Sequence, residues 1–204
     1  MPEVPENFGF YAILTDPLVG YTRLTEILVG NNIPFIQLRV KNKDRSFIKK
    51  IALSMQSIVK GSNSRLIIND DVLLTKEIEA HGVHLGQEDM PYQEARKILG
   101  PDYIIGLSTH NMTQLQTANS LQPDYIGIGP VFATPTKQKP DPVIGLDGLK
   151  SMYKAAQVPA IAIGGINMDN LQTVLATGVK NFSAVRLLNE SNHPQAVLKV
   201  ILKI

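Results

Sequence analysis

The sequence has no cysteine. That excludes a disulfide framework, thiolate metal sites and cysteine nucleophiles, and it fits a reducing compartment. Charge of one sign is also lacking: 20 Lys and Arg stand against 18 Asp and Glu, a net of +2. No Lys/Arg run marks a nucleic-acid face, so the pI near 8.7 points to no such partner. No apolar run reaches the roughly 18 residues of a membrane span. The opening stretch MPEVPENFGF has neither the basic nor the apolar region of a signal peptide. The expectation is a cytoplasmic protein with no nucleic-acid and no membrane partner. Oligomeric state is left open, a homo-oligomer included. Linkers, low-complexity segments and long charge runs are missing too, so nothing divides the chain.

At 204 residues the chain can bury a large core; a chain of this size hides roughly 70% of its unfolded surface. Short apolar runs alternate with amphipathic stretches. Strands are expected at 10–14, 35–38, 66–68, 82–85, 103–106, 125–128, 160–163 and 182–185. Helices are expected at 18–29, 47–59, 72–79, 92–99, 112–120, 146–156, 168–177 and 194–202. Strict alternation implies a parallel sheet with helical crossovers. Eight units favour a closed α/β barrel over an open flavodoxin-like sheet, which needs fewer. The expected fold is a single (β/α)8 TIM barrel over residues 1–204 with short loops.

The active site of such a barrel lies at the C-terminal ends of the strands. The sixth strand runs into DYIGIGPVFATPTK, where Thr134, Thr136 and Lys137 follow a Gly-Pro break. Two hydroxyls and an ammonium suit a phosphate or pyrophosphate, although T-x-T-K is not a specific string and also suits a solvated turn. After the second strand, Gln37, Arg39 and Lys41 share a face by the period of two. Buried, those charges need an anion; past the strand end, they need only water. Asn69, Asp70 and Asp71 end the third strand, and Gln87, Glu88 and Asp89 follow the fourth. Asp70 and Asp89 can approach across the rim as a carboxylate pair for Mg²⁺, while one of Asp70 and Asp71 can instead cap a helix. Ser108 and His110 end the fifth strand and can bind ligand; capping is the more natural role for Thr109 or Asn111. His84 reads as a core histidine. Gly164-Gly165 and Arg186 stand where this fold usually binds phosphate. The sum is two anion sites: Arg39, Lys41, Asp70, Asp89 and Lys137 with a metal, and a monophosphate at Gly164-Gly165. No Ser-His-Asp set, Walker loop or dinucleotide fingerprint competes.

The ordered strings FYAILTD, QLRVK, IIND, GVHLGQED, GLSTHN, DYIGIGPVFATPTK and AIGGI resemble the thiamine phosphate synthase family over nearly the whole chain. The resemblance implies a Mg²⁺-dependent transferase on a (β/α)8 barrel. Its substrates would be a pyrimidine pyrophosphate and a thiazole phosphate, joined with release of pyrophosphate. It implies that Arg39, Lys41, Asn69 and Lys137 hold the pyrophosphate, Arg39, Lys41 and Lys137 acting in catalysis. Asp70 and Asp89 would bind Mg²⁺, and Gln37 and Ser108 would face the pyrimidine. Thr134 and Thr136 would contact the thiazole, and Gly165 its phosphate, with Arg186 alongside. The loop 132–142 would close over substrate. Two departures are expected. His81 replaces an acidic residue as a surface change, and Arg186 takes the place of a strand-eight serine. A thiazole tautomerase-like isomerase and a non-catalytic phosphate-binding barrel are the alternatives. Asp89 and the T-P-T-K string argue against the first, and the intact charged set against the second.

Overall fold

Every strand run is short and apolar, and every one is used. The computed structural model describes residues 3–134 and 141–203. Strands β1 (Tyr11–Leu14), β2 (Phe35–Leu38), β3 (Arg65–Asn69) and β4 (Gly82–Leu85) are followed by β5 (Ile104–Thr109), β6 (Tyr125–Ile128), β7 (Ala160–Ala162) and β8 (Asn181–Phe182). Each pairs in parallel with the next in chain order. A parallel bridge from Phe10 to Phe182 closes the ring. The crossovers are α1 (Tyr21–Gly30), α2 (Arg45–Val59), α3 (Val72–Glu77), α4 (Tyr92–Leu99), α5 (Met112–Leu121), α6 (Gly145–Ala155) and α7 (Leu171–Leu175). Two helices follow β8: α8 (Val185–Asn189) and α9 (Pro194–Ile201). This is the expected (β/α)8 barrel.

Alternation along the strands produces two apolar layers. Ala12, Ile36, Leu66, Ile68, Val83, Ile105 and Ile126 face outward into a belt shared with the helices. Tyr11, Ile13, Phe35, Ile67, Ile104, Tyr125 and Ile161 fill the interior, with Val4 and Phe8 of the N-terminal segment packed against them. Gly106 exists for this packing: a Cβ there would lie 2.1 Å from Cζ of Tyr125.

The weakest seam is between β8 and β1, because β8 has only two residues. Two buried asparagines staple it. Asn181 Oδ1 accepts from the N–H groups of Phe8 and Gly9, and its Nδ2 donates to Glu6 and Ala160 carbonyls. Asn189 Nδ2 donates to the Ile13 carbonyl, and its Oδ1 accepts from Thr15 N–H at 2.8 Å.

The expected elements differ mainly at their ends. The eighth strand stops at Phe182, short of the expected end at 185, and residues Val185–Asn189 form α8. β5 starts one residue later and runs on to Thr109, because Thr109 is buried and its hydroxyl donates to the Gly127 carbonyl of β6. Thr109 therefore caps nothing, whereas Asn111 does, accepting from Gln114 N–H at 2.9 Å. His81 is no surface change. It is half-buried, and its Nδ1 accepts from Leu66 N–H at 3.1 Å. Asp124, at the same point before β6, accepts from Ile105 N–H at 2.7 Å. The position needs an acceptor, and an imidazole kept neutral serves. Burial, and then Arg65, hold its pKa below the usual histidine value.

Candidate active site

The C-terminal strand ends surround one cavity of about 1270 Å³. It is lined by residues from all eight strand ends or the segments after them, including Gln37, Arg39, Lys41, Asn69, Asp70, Asp89, Ser108, Thr134, Gly165 and Arg186. The structure thus brings together every expected site residue that it describes. Thr136 and Lys137 lie outside the described residues, as does most of what the expected closure of 132–142 rests on.

The rim is charged. Arg39 and Lys41 lie past the end of β2, but they line the cavity rather than stand apart from it. Lys41 Nζ pairs with Asp70 Oδ2. Arg39 is half-buried, and among the described residues no carboxylate lies within ion-pair distance of it. Burial lowers its pKa, and Asp70 partly offsets the shift. A guanidinium stays protonated regardless, so Arg39 carries a desolvated charge that an anion would complete. Asp70 has a left-handed backbone, φ 66°, which turns the chain at the end of β3. The neighbouring carboxylate has the other fate foreseen for the pair: Asp71 caps α3, accepting from Leu74 N–H at 2.7 Å. Asp89 Oδ2 accepts from Gly86 N–H at 2.6 Å. Burial raises the Asp89 pKa, and a hydrogen bond with Asp70 and the charge of Asp70 raise it further. The two carboxylates share one small volume, and without a cation the crowding favours the protonated form of Asp89.

The floor is polar but uncharged. Gln37 is 2% exposed, and its Nε2 donates to the Tyr11 hydroxyl at 3.1 Å. The hydroxyls of Tyr11 and Tyr125 are 2.7 Å apart. Tyr125 reaches His84 Nδ1 at 3.0 Å, and His84 Nε2 reaches Ser108 Oγ at 2.9 Å. Burial pushes both phenols far above the usual tyrosine value, so they stay neutral. His84 is a core histidine, as expected, but one that also lines the cavity.

The opposite wall comes from β7 and β8. Gly164 and Gly165 have φ of 97° and 66°. Their shape is dictated by protein as well as by any ligand. A Cβ on Gly164 would lie 2.5 Å from Cα of Pro130, and one on Gly165 would lie 2.6 Å from Cβ of Phe132. Ser183, just after β8, lines the same wall; its Oγ is buried with no hydrogen-bond partner among the described residues. That overturns one expected departure. The serine at strand eight is Ser183 itself, followed by Ala184 and Val185, and Arg186 lies three residues on, exposed, in the first turn of α8. His110 faces acceptors on both sides: Gly129 carbonyl at 2.6 Å from Nδ1, and Asp141 Oδ2 at 3.4 Å from Nε2.

Sequence reasoning missed Tyr11, Tyr125 and Ser183, and also Asp16 and Tyr21, which line the first strand's end. A hydroxyl within or just past an apolar strand is the available signal for Tyr11, Tyr125 and Ser183.

A family profile described as thiamine monophosphate synthase matches residues 10–188. The chain belongs to the thiamine monophosphate synthase family. It is 40% identical to a thiamine-phosphate synthase of Vibrio campbellii over 198 residues, covering 96% of this chain and 97% of that protein. It is 37% identical to one of Clostridium novyi over 201 residues, covering 97% and 98%. The solved thiamine phosphate pyrophosphorylase of Pyrococcus furiosus superposes with a TM-score of 0.85 at 30% identity, covering 97% of each chain. The family is one of transferases, which agrees with the expected class of activity. No helix among the described residues is long and apolar enough to cross a membrane.

Proposed function

We propose that this chain joins an aminopyrimidine carrying a methylene pyrophosphate to a thiazole phosphate, releasing pyrophosphate and forming thiamine phosphate. The observation that carries the reading is the rim. Arg39, Lys41 and the Asp70–Asp89 pair converge on one side of a cavity whose other wall holds Gly164, Gly165 and the unpartnered Ser183 hydroxyl. Two anion sites flank a neutral floor, as two phosphorylated substrates require.

The Asp70–Asp89 pair fits Mg²⁺. Both are hard oxygen donors, and the elevated Asp89 pKa marks a place where positive charge is wanted. Among the described residues no group of three potential ligands forms a full metal cage. Mg²⁺ does not need one, because it is usually held by one or two carboxylates with substrate phosphates and water completing the shell. Bound there, the ion would neutralise charge on the leaving pyrophosphate.

The protein's own work is binding and shielding. The bond from the methylene carbon to the pyrophosphate oxygen breaks, and its electron pair leaves with the pyrophosphate. Arg39, Lys41 and Lys137 receive that charge, with Asn69 as a neutral donor beside them. The electron-rich aminopyrimidine carries the cation at the methylene carbon. Gln37 and Ser108 hold the ring over the floor. The thiazole nitrogen then supplies the electron pair of the new C–N bond. Thr134 and Thr136 would serve as contacts for the thiazole, and Gly165, Ser183 and Arg186 take its phosphate. No protein nucleophile is needed, so the dominant contribution is orientation.

The test mixes both substrates with Mg²⁺ and follows pyrophosphate and thiamine phosphate together. Formation of both in equal amounts supports the reading. An isomerised thiazole phosphate with no pyrophosphate would make the chain a tautomerase, and neither product would leave a binding protein.

A further inference from the structure

Five side chains cross the barrel floor in one unbroken line: Gln37, Tyr11, Tyr125, His84 and Ser108, with links of 3.1, 2.7, 3.0 and 2.9 Å. The chemistry of each member fixes its direction. The Gln37 amide nitrogen can only donate, so Tyr11 accepts from it. Tyr11 has a single proton, and its other hydrogen-bond partner is the Tyr125 oxygen, so it donates there. Tyr125, already accepting, gives its own proton to His84 Nδ1. His84 Nδ1 is then an acceptor, which places the ring proton on Nε2 and aims it at Ser108 Oγ. Ser108 therefore keeps its hydroxyl proton for the cavity that it lines. At the other end Gln37 lines that cavity too, and with its nitrogen committed to the phenols its Oε1 is the atom left to serve a ligand.

We infer that Tyr11, Tyr125 and His84 form a one-way hydrogen-bond relay that fixes Ser108 as a donor and Gln37 as an acceptor, and so selects an amino-substituted pyrimidine. The inference deepens the synthase reading and rests on it. An aminopyrimidine offers a ring nitrogen that accepts and an exocyclic amine that donates, which matches the two ends. An analogue with an oxo group replacing the amine offers an acceptor where Gln37 is itself an acceptor. To take it, Gln37 must flip, and then every member of the line must reverse, including the tautomer of His84. The ends are coupled only because the line is unbroken. Tyr11, Tyr125 and His84 are positioning residues for this purpose. Their buried hydroxyls and ring are more polar than a core at this depth needs, since Phe would pack alike.

Two measurements test the relay. First, ¹⁵N NMR of the full chain without substrate reads the His84 tautomer directly. Protonation on Nε2 is expected; protonation on Nδ1 would overturn the direction of the line. Second, Tyr125→Phe cuts the line while keeping the ring. The Michaelis constant for the aminopyrimidine pyrophosphate should rise roughly tenfold, the size of one neutral hydrogen bond. That for thiazole phosphate should not move. The preference for the amino over the oxo pyrimidine pyrophosphate should narrow by a similar factor, because the His84–Ser108 half can now reverse alone. A folded Tyr125→Phe with unchanged preference would overturn the inference. If that variant does not fold, the double variant Tyr11→Phe, Tyr125→Phe leaves no unpaired phenol and is read the same way. Wild-type chain that turns over neither pyrimidine would sink the synthase reading and the choice of ligand, while the NMR result still decides the relay.

Discussion

Alanine at either of two strand glycines facing the barrel interior should act on different properties of the molecule. At Gly106 a Cβ would lie 2.1 Å from Cζ and 2.5 Å from both Cε atoms of Tyr125. The ring cannot swing away. It is 1% exposed, hydrogen-bonded to Tyr11 and His84, and stacked on the His84 ring with centroids 5.5 Å apart. Overpacking a filled core costs about 1–3 kcal/mol. Alanine recovers about 0.4–1 kcal/mol by narrowing the unfolded chain where the backbone allows it. A net loss of about 1–2 kcal/mol remains, and at about 2–4 °C per kcal/mol for a chain of this size Tm should fall by about 2–8 °C. At Gly127 the nearest atom would be Cε1 of His84 at 3.6 Å, an ordinary contact. Gly127→Ala should therefore keep the wild-type Tm or raise it slightly. Its methyl would instead stand on the cavity floor beside His84, and the Michaelis constant for the pyrimidine pyrophosphate should rise roughly tenfold, as for one extra methylene in a fitted pocket. Thermal unfolding and steady-state kinetics on both variants make the check. A Gly106→Ala as stable as wild type, or a Gly127→Ala that loses stability, would refute this account of the floor.

Asp70→Asn and Asp89→Asn should each lower turnover by about 10²–10³, by analogy with losing one preorganised transition-state stabiliser, while circular dichroism stays native; full activity of both with chelator present would end the metal assignment. Asp89 also predicts a pH dependence. Its folded pKa lies above the unfolded value because of burial and then Asp70. The protonated form is the favoured one, so the contribution of Asp89 to stability is fullest below the ordinary carboxylate pKa and is lost as pH rises through the elevated one. In unfolding experiments without Mg²⁺, wild type should lose ground to Asp89→Asn as pH rises through that window, and Mg²⁺ should reverse the trend; parallel pH curves for the two proteins would contradict it. Arg186→Ala should raise the Michaelis constant for thiazole phosphate and leave that for the pyrimidine pyrophosphate unchanged, because Arg186 lines the β8 side of the cavity. A rise only for the pyrimidine would reverse the assignment of the two anion sites.

The barrel was legible because strand and helix periods differ and alternated eight times without a break. The rim was legible as well, since charged residues just past apolar runs have few structural reasons to be there. Three features were hidden. A strand of two residues, β8, has no periodicity to read, so the expected end at 185 falls too late and hides Ser183 behind Arg186. Tyr11 and Tyr125 look like any core aromatic in a strand; only their placement across the barrel, 2.7 Å apart, turns them into part of a network. His81 looked exposed because histidine commonly is, but the turn before β4 needs an acceptor for Leu66 N–H.

The separation of rim from floor bears on the proposed reaction. A cation at the pyrimidine methylene would form between them. The rim is where ionised groups collect, and it faces the departing pyrophosphate. Below, both phenols are kept neutral by burial, and among the described residues the hydrogen bonds from Gln37 to Ser108 run through no carboxylate. A carboxylate or ionised phenol on the floor would be a competing nucleophile within reach of the cation; a fixed cation there would raise the barrier to its formation. Neutral donors and acceptors avoid both problems while still orienting the ring. The buried hydroxyls of Tyr11 and Tyr125 thus suit a dissociative displacement better than an apolar floor, which could not hold the ring, or a charged one, which would trap or repel the intermediate.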